Sequence, residues 1–173
     1  RSVLRRYAGD PRVRLLTQPN QGLPKALSSA FEFATGEFFT WTSGDNRMHR
    51  DQLATLVACL RARPHVAMVY ADYRLIDDRG APLLGGEFRC LDRTDPQDPS
   101  IVRSKRSTED LSRHEDNFVG ACFLYRGRVG RLLGDYNPEL GLEDYDYWMR
   151  LNRLFRLEHL GTDAVLYDYR VHD

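Results

Sequence analysis

Cysteine is scarce in this 173-residue sequence and widely scattered, at Cys59, Cys90 and Cys122. No Cys-x-x-Cys pair occurs. That removes zinc knuckles and a disulfide framework, and leaves reduced, partly buried thiols of a cytosolic protein as the expectation. Surplus charge is also missing. Lys+Arg and Asp+Glu each number 25, so the formal net charge is zero. This argues against binding nucleic acid or a membrane surface through bulk electrostatics, though local patches stay open. No apolar run approaches the ~20 residues of a membrane span. No secretory signal, repeat or low-complexity tract is legible. An initiator Met is absent too. Arg1-Ser2-Val3-Leu4-Arg5-Arg6-Tyr7 reads as the last turns of an amphipathic helix, so a fragment of a longer chain is expected.

What is present suits a single domain: 42% of residues are hydrophobic, enough for a real core. Residues 12–16 alternate basic and apolar, as in a short strand, before the Pro19-Asn20-Gln21-Gly22 turn. Pro24 opens a helix with its apolar face at Leu27, Ala30, Phe31 and Ala34, ended by Gly36. Residues 37–42 form a β-prone run. Asp51 has the position of an N-cap, with Leu53, Leu56, Val57 and Leu60 at helical spacing up to Pro64. Residues 66–73 are near-continuously apolar, as in a strand buried on both faces. Asp77-Asp78-Arg79-Gly80 is a turn signal leading into a hairpin arm. Residues 86–116 are charged, carry Pro96 and Pro99, and read as a mobile loop with one short helix. A strand at 118–125, a short helix at 128–133 stopped by Gly134, an amphipathic helix at 144–155 and closing strands at 157–160 and 164–169 complete the pattern. Such alternation implies an α/β sandwich with a largely parallel sheet, whose ligands bind outside the C-terminal strand ends.

Asp45 falls at such an end. Gly44-Asp45-Asn46 is ordinary turn chemistry, but Mg²⁺ or Mn²⁺ favours oxygen donors, and one carboxylate plus substrate phosphates can hold it. Glu143, Asp144 and Asp146 crowd a helix start, where acids suit the dipole. They are interleaved with Tyr145, Tyr147 and Trp148, and a carboxylate beside aromatic walls can bind a sugar and accept its hydroxyl proton. Arg170 has a fork suited to oxyanions, Lys25 stands near a helix N-terminus, and His172 follows Tyr169-Arg170-Val171.

Together, "NQGLPKALSSAFEFATGEFFTWTSGD", "VYAD" with "DDRG", "LGDYNPELGLEDYDYWMRL" and "YRVH" resemble the family 2 glycosyltransferases, in matching order from residue 12 to 172. The resemblance implies a GT-A fold, an α/β/α sandwich, here a partial catalytic domain over residues 1–173. It implies inverting sugar transfer from a nucleotide-diphosphate donor to a saccharide, lipid-linked or protein acceptor. Asp45 matches the second acid of Asp-x-Asp and would bind the metal–diphosphate, with His172 as a further metal ligand and Mg²⁺ or Mn²⁺ as cofactor. Asn20, Gly22, Lys25, Ser43 and Arg170 would line the donor side. Asp144, beside Glu143, matches the general base, and Trp148 and Tyr145 would border the acceptor. Residues 86–116 would be the acceptor-side loop. The protein is expected in the cytoplasm or at the inner face of the membrane, with no nucleic-acid partner and with a homo-oligomer compatible with the sequence. Two departures stand out. Ser43 replaces the first Asp of Asp-x-Asp, and the family's opening strands, with half the nucleotide pocket, are absent from this N-terminally truncated pattern. Two other readings remain open. One is a catalytically degenerate module binding sugar or a partner, which Ser43 favours and Glu143-Asp144 disfavours. The other is a nucleotidyltransferase of similar topology, disfavoured because no Gly-rich loop with Arg and Lys is seen.

Overall fold

The computed structural model describes residues 2–84, 93–106, 111, 117–141 and 143–172. Along the chain run α1 (Ser2–Arg5), α2 (Leu23–Glu32), β1 (Phe38–Phe39), β2 (Arg47–Met48), α3 (Gln52–Ala62), β3 (Val66–Ala71) and β4 (Tyr73–Ile76). Then come β5 (Ile101–Val102), β6 (Cys122–Arg126), α4 (Gly127–Leu133), α5 (Glu143–Leu154), β7 (Arg156–His159) and β8 (Tyr167–Arg170). The architecture is α/β, as expected.

Every residue of β3 is buried, because it lies inside a sheet of order β1-β6-β3-β7 that is covered on both faces. Its side chains alternate between two cores. Met68 and Tyr70 join Phe123, Tyr125, Trp148 and Leu151, under α2, α4 and α5. Val69 and Ala71 join Leu124, Leu56 and Leu60, under α3. Burying each large side chain is worth about 1.5–3 kcal/mol, so the two layers hold the sandwich together.

The sheets are mixed, which corrects the expectation of a largely parallel one. Only β3–β7 and β4–β8 pair in parallel among the described strands. β6 enters antiparallel between β1 and β3. The apolar run at 66–73 is also two strands, not one. The chain leaves the first sheet after Ala71, and β4 enters a second sheet of order β2-β8-β4-β5, with Asp72 at the crossing. Periodicity could not reveal this, since both strands are buried.

Residues 12–16 form no strand. Leu15 and Leu16 are 42% and 44% exposed, and no described strand lies beside them to complete a ladder. Asp51 precedes α3 but makes no side-chain cap, because its own backbone is already helical. α2 ends at Glu32, before Gly36. Gly134 does stop α4, at φ 73. Within the stretch expected to be a loop, residues 93–106 are tied to the sheet. β5 pairs with β4, and Arg103 Nη1 donates to buried Asp72 at 2.7 Å. The other parts of 86–116, at 86–92, 107–110 and 112–116, lie outside the described residues, as does Cys90. Cys59 is half-buried and Cys122 buried, both as free thiols.

Candidate functional site

The run Thr40-Trp41-Thr42 leaves β1 and is fastened at each residue. Thr40 Oγ1 donates to the Phe123 carbonyl at 2.7 Å. Trp41 Nε1 donates to Tyr136 Oη at 3.2 Å. Thr42 Oγ1 and Tyr167 Oη are 2.7 Å apart. Only then does the chain turn outward through Ser43 and Gly44, both exposed. The far side of that turn is sewn to the last strand: the Arg170 N–H donates to Asn46 Oδ1 at 2.8 Å, and Arg170 Nε to the Asp45 carbonyl at 3.0 Å. The Arg170 guanidinium also donates to the Asp77 carbonyl. Arg170 thus braces the Asp45 loop through two main-chain carbonyls.

This places the exposed Asp45 carboxylate against His172, with Oδ2 2.7 Å from Nε2. His172 Nδ1 faces Asp78 Oδ1 at 2.9 Å. The hydrogen bond from His172 lowers the Asp45 pKa, and Arg170 adds to the effect. Asp45, followed by Asp78, raises that of His172. Asp78 was legible only as part of a turn. The doubled acid was the available signal: Asp77 Oδ1 accepts the Arg79 and Ala81 N–H groups and closes the turn, leaving Asp78 for His172.

The second carboxylate stands in the first turn of α5. Asp144 Oδ1 accepts the Tyr145 N–H at 2.7 Å, and Oδ2 accepts Asn117 Nδ2 at 3.1 Å. Burial pushes the Asp144 pKa up and the Glu143 charge adds to it, against the pull of the Tyr145 and Asn117 hydrogen bonds. A half-buried carboxylate with raised proton affinity is what a general base near neutrality requires. Trp41, four positions before Asp45, bonds Tyr136, whose ring stacks at 4.1 Å on Tyr147 of α5, the helix that carries Asp144.

Other expected residues fall elsewhere. Trp148 does not border an open pocket. It is fully buried, with its ring 4.6 Å from Phe123 and 5.7 Å from Tyr125, because its position on α5 faces the sheet. Tyr145 donates from Oη to the Leu111 carbonyl at 3.3 Å. Asn20 Oδ1 accepts the Gly22 N–H at 3.1 Å, and Gly22, at φ 84, turns the chain into α2. Lys25 is exposed in the first turn of α2. Among the described residues no hydrogen bond joins Asn20, Gly22 or Lys25 to the Asp45 side. Asn117 escaped sequence reading altogether, since a single Asn before a strand carries no signal.

Among the described residues no group of three or more His, Cys, Asp and Glu side chains forms a ready metal cage. His172 instead points its two nitrogens at different carboxylates. Asp45 Oδ2 and His172 Nε2 are joined by a hydrogen bond at 2.7 Å, so both would have to give it up to share a cation. The Asp45 carboxylate has the donor chemistry of Mg²⁺ or Mn²⁺ with diphosphate and water completing a shell, whereas an imidazole is an uncommon donor to Mg²⁺.

The sequence model for glycosyl transferase family 2 matches residues 1–129. The chain belongs to glycosyl transferase family 2. That match ends before Asp144, but similarity to relatives runs further. The chain is 23% identical over 156 residues to chondroitin synthase of Pasteurella multocida (strain Pm70), covering 90% of this chain and 14% of that one. It is 23% identical over 163 residues to an uncharacterized glycosyltransferase of Rickettsia felis, covering 93% and 25%. The chain therefore spans a quarter or less of the length of these family 2 relatives. Among solved structures it is similar to S. aureus TarS 1–349 in complex with UDP-GlcNAc, with a TM-score of 0.67 and 16% identity over 99% of this chain and 46% of that one. At that identity the likeness speaks for the fold alone, and the fold is GT-A.

Proposed function

We propose that this domain moves a sugar from a nucleotide-diphosphate donor to an acceptor hydroxyl, with inversion at the anomeric carbon. The observation that carries the reading is Asp144: a half-buried carboxylate held at both oxygens in the first turn of α5, with burial raising its proton affinity. Asp144 takes the acceptor proton while the acceptor oxygen forms its bond to the anomeric carbon. The bond from that carbon to the diphosphate oxygen breaks, and the pair of electrons leaves with the nucleoside diphosphate. Glu143 adds negative potential that favours the protonated acid. Asp45 and His172 would hold a Mg²⁺ or Mn²⁺ ion, which supplies Lewis-acid stabilisation of the departing diphosphate when bound. Arg170 keeps the Asp45 loop in place. Ser43 leaves one fewer charge there and can donate a hydrogen bond to donor or bound water.

No described helix is long and apolar enough to cross a membrane. A nucleotide sugar such as the UDP-GlcNAc bound by TarS, and a saccharide, lipid-linked or protein acceptor, are the substrate classes. Release of nucleoside diphosphate from a panel of nucleotide sugars by the full-length enzyme tests the reading. Turnover that needs a divalent cation and Asp144 supports it. A full-length protein that binds sugar but releases no nucleoside diphosphate would favour the degenerate binding module, the reading that Ser43 alone supports.

A further inference from the structure

The turn leading into β6 is tightly constrained. Phe118 and Val119 are buried, and the Phe118 ring lies 5.9 Å from that of Tyr70. Gly120 holds φ +69, and a Cβ there would fall 2.4 Å from Tyr73 Cε1. Asn117 therefore reaches Asp144 from a rigid support. Its Nδ2 donates to Asp144 Oδ2 at 3.1 Å. An ionised carboxylate only accepts, so the amide nitrogen must face it and the amide oxygen must turn away. That oxygen, Asn117 Oδ1, is shut off from water and, among the described residues, has no hydrogen-bond partner. Buried, unpartnered acceptors are costly, and an apolar side chain of similar shape would avoid the cost. That cost offsets part of what the hydrogen bond to Asp144 contributes, so the carboxamide gains little net stability.

We propose that Asn117 is a positioning residue for Asp144, an inference that rests on the transfer reading above. Its amide fixes Oδ2 in one direction and stabilises the ionised carboxylate, leaving the remaining lone pairs to take the acceptor proton. Once Asp144 is protonated, rotation of the new hydroxyl about the Cγ–Oδ2 bond turns it toward Asn117, and a half-turn of the amide lets Asn117 Oδ1 accept it. Asn117 thereby serves both states of the base, which gives the unpaired oxygen a use.

The test uses the full-length enzyme with Asn117→Leu, Asn117→Asp and, as control, Asp144→Asn. Nucleoside diphosphate release from whichever UDP-, GDP- or dTDP-sugar the wild type turns over is followed against pH, with melting temperature as the fold check. Loss of the Asn117 hydrogen bond raises the Asp144 pKa further, so the acid limb of kcat/KM moves up by roughly one pH unit and turnover below it drops about tenfold. Asn117→Asp, which sets a second carboxylate against the first, moves it further. Asn117→Leu removes one hydrogen bond and one unpartnered acceptor together, so its melting temperature serves only to show that it folds, and the moved acid limb is what separates this role from a structural one. An unmoved limb and wild-type kcat in a folded Asn117→Leu overturn the inference. If that variant does not fold, an unmoved limb in Asn117→Asp overturns it. An active wild type with an inactive Asp144→Asn and silent Asn117 variants sinks this inference alone, whereas a wild type that releases nothing sinks the transfer reading with it.

Discussion

His172 Nε2 lies 2.7 Å from Asp45 Oδ2 although 127 positions separate them in sequence. Asp78 faces the other ring nitrogen, so a protonated imidazole sits between two carboxylates and its pKa is raised above 6.5. The mutual attraction is fully present below the ordinary histidine pKa and fades as pH rises through the raised one. A divalent cation needs the same nitrogen neutral. Mn²⁺ affinity in the presence of a nucleoside diphosphate should therefore fall as pH drops through the His172 pKa, by up to about tenfold per unit, with protons released on binding. Calorimetry in buffers of different ionisation enthalpy measures both. Equal affinity on either side of that pKa would remove His172 from the ligand set.

Asp144→Asn should cut turnover by roughly 100-fold or more, the scale expected for a general base. The fold should not suffer. A carboxyl whose folded pKa is raised stabilises the fold below its unfolded pKa and loses that contribution as pH rises through the folded one. At neutral pH the ionised, half-buried Asp144 is a burden, so the amide variant should melt at or above the wild-type temperature. Paired thermal melts and initial rates check both halves. A variant that retains most of its rate would exclude Asp144 as base.

Single elements show how far sequence reading reached and where it stopped. α4 and α5 were legible almost to the residue, because their apolar spacing and the Gly134 stop are local signals. Asp144 at a helix start was legible for the same reason, whereas the strand expected over residues 37–42 ends at Phe39, six positions before Asp45. The break at Asp72 was not, since a strand buried in one sheet looks like a strand buried in the next. Trp148 read as a pocket wall because interleaving with acids does not say which side of a helix faces the core. Asn117 and Asp78 were invisible because their importance comes only from the partner that folding brings to them.

Asp72 fastens that crossing. Its Oδ1 takes His159 Nε2 at 2.9 Å and the Ser104 N–H at 3.0 Å, and its Oδ2 takes Arg103 Nη1 at 2.7 Å. The Gly161 N–H donates to His159 Nδ1, which assigns the ring proton to Nε2. Burial pushes the Asp72 pKa up, but the His159 and Arg103 hydrogen bonds outweigh it and the net shift is downward. Its contribution is therefore present above the unfolded value of about 3.9 and is lost as pH falls through the folded one. Asp72→Ala leaves the His159 Nε2 and Ser104 N–H donors unpaired, while Arg103 keeps Asp95, and should destabilise by about 1–3 kcal/mol per unpaired donor in urea unfolding. The acid-induced loss of stability expected of the wild type should shrink in the variant. A loss below ~1 kcal/mol would show that the latch contributes no more than a surface pair.

Gly120 carries the last prediction. It combines positive φ with no lateral space, since the Tyr73 ring occupies the place a Cβ would take. Tyr73 is itself buried, in the first position of β4, so it cannot swing aside without disturbing the sheet. Gly120→Ala therefore adds a left-handed backbone penalty of roughly 1–2 kcal/mol to overpacking of about 1–3 kcal/mol. The expected loss is about 2–5 kcal/mol by denaturant titration. Relief of the steric part in Gly120→Ala/Tyr73→Leu, measured as a double-mutant cycle, would separate the two contributions. The turn also presents Asn117, so a folded Gly120→Ala should lose turnover in proportion to how far it moves that amide from Asp144. Wild-type stability in the single variant would mean that the segment yields freely, and the rigid support for Asn117 would fall with it.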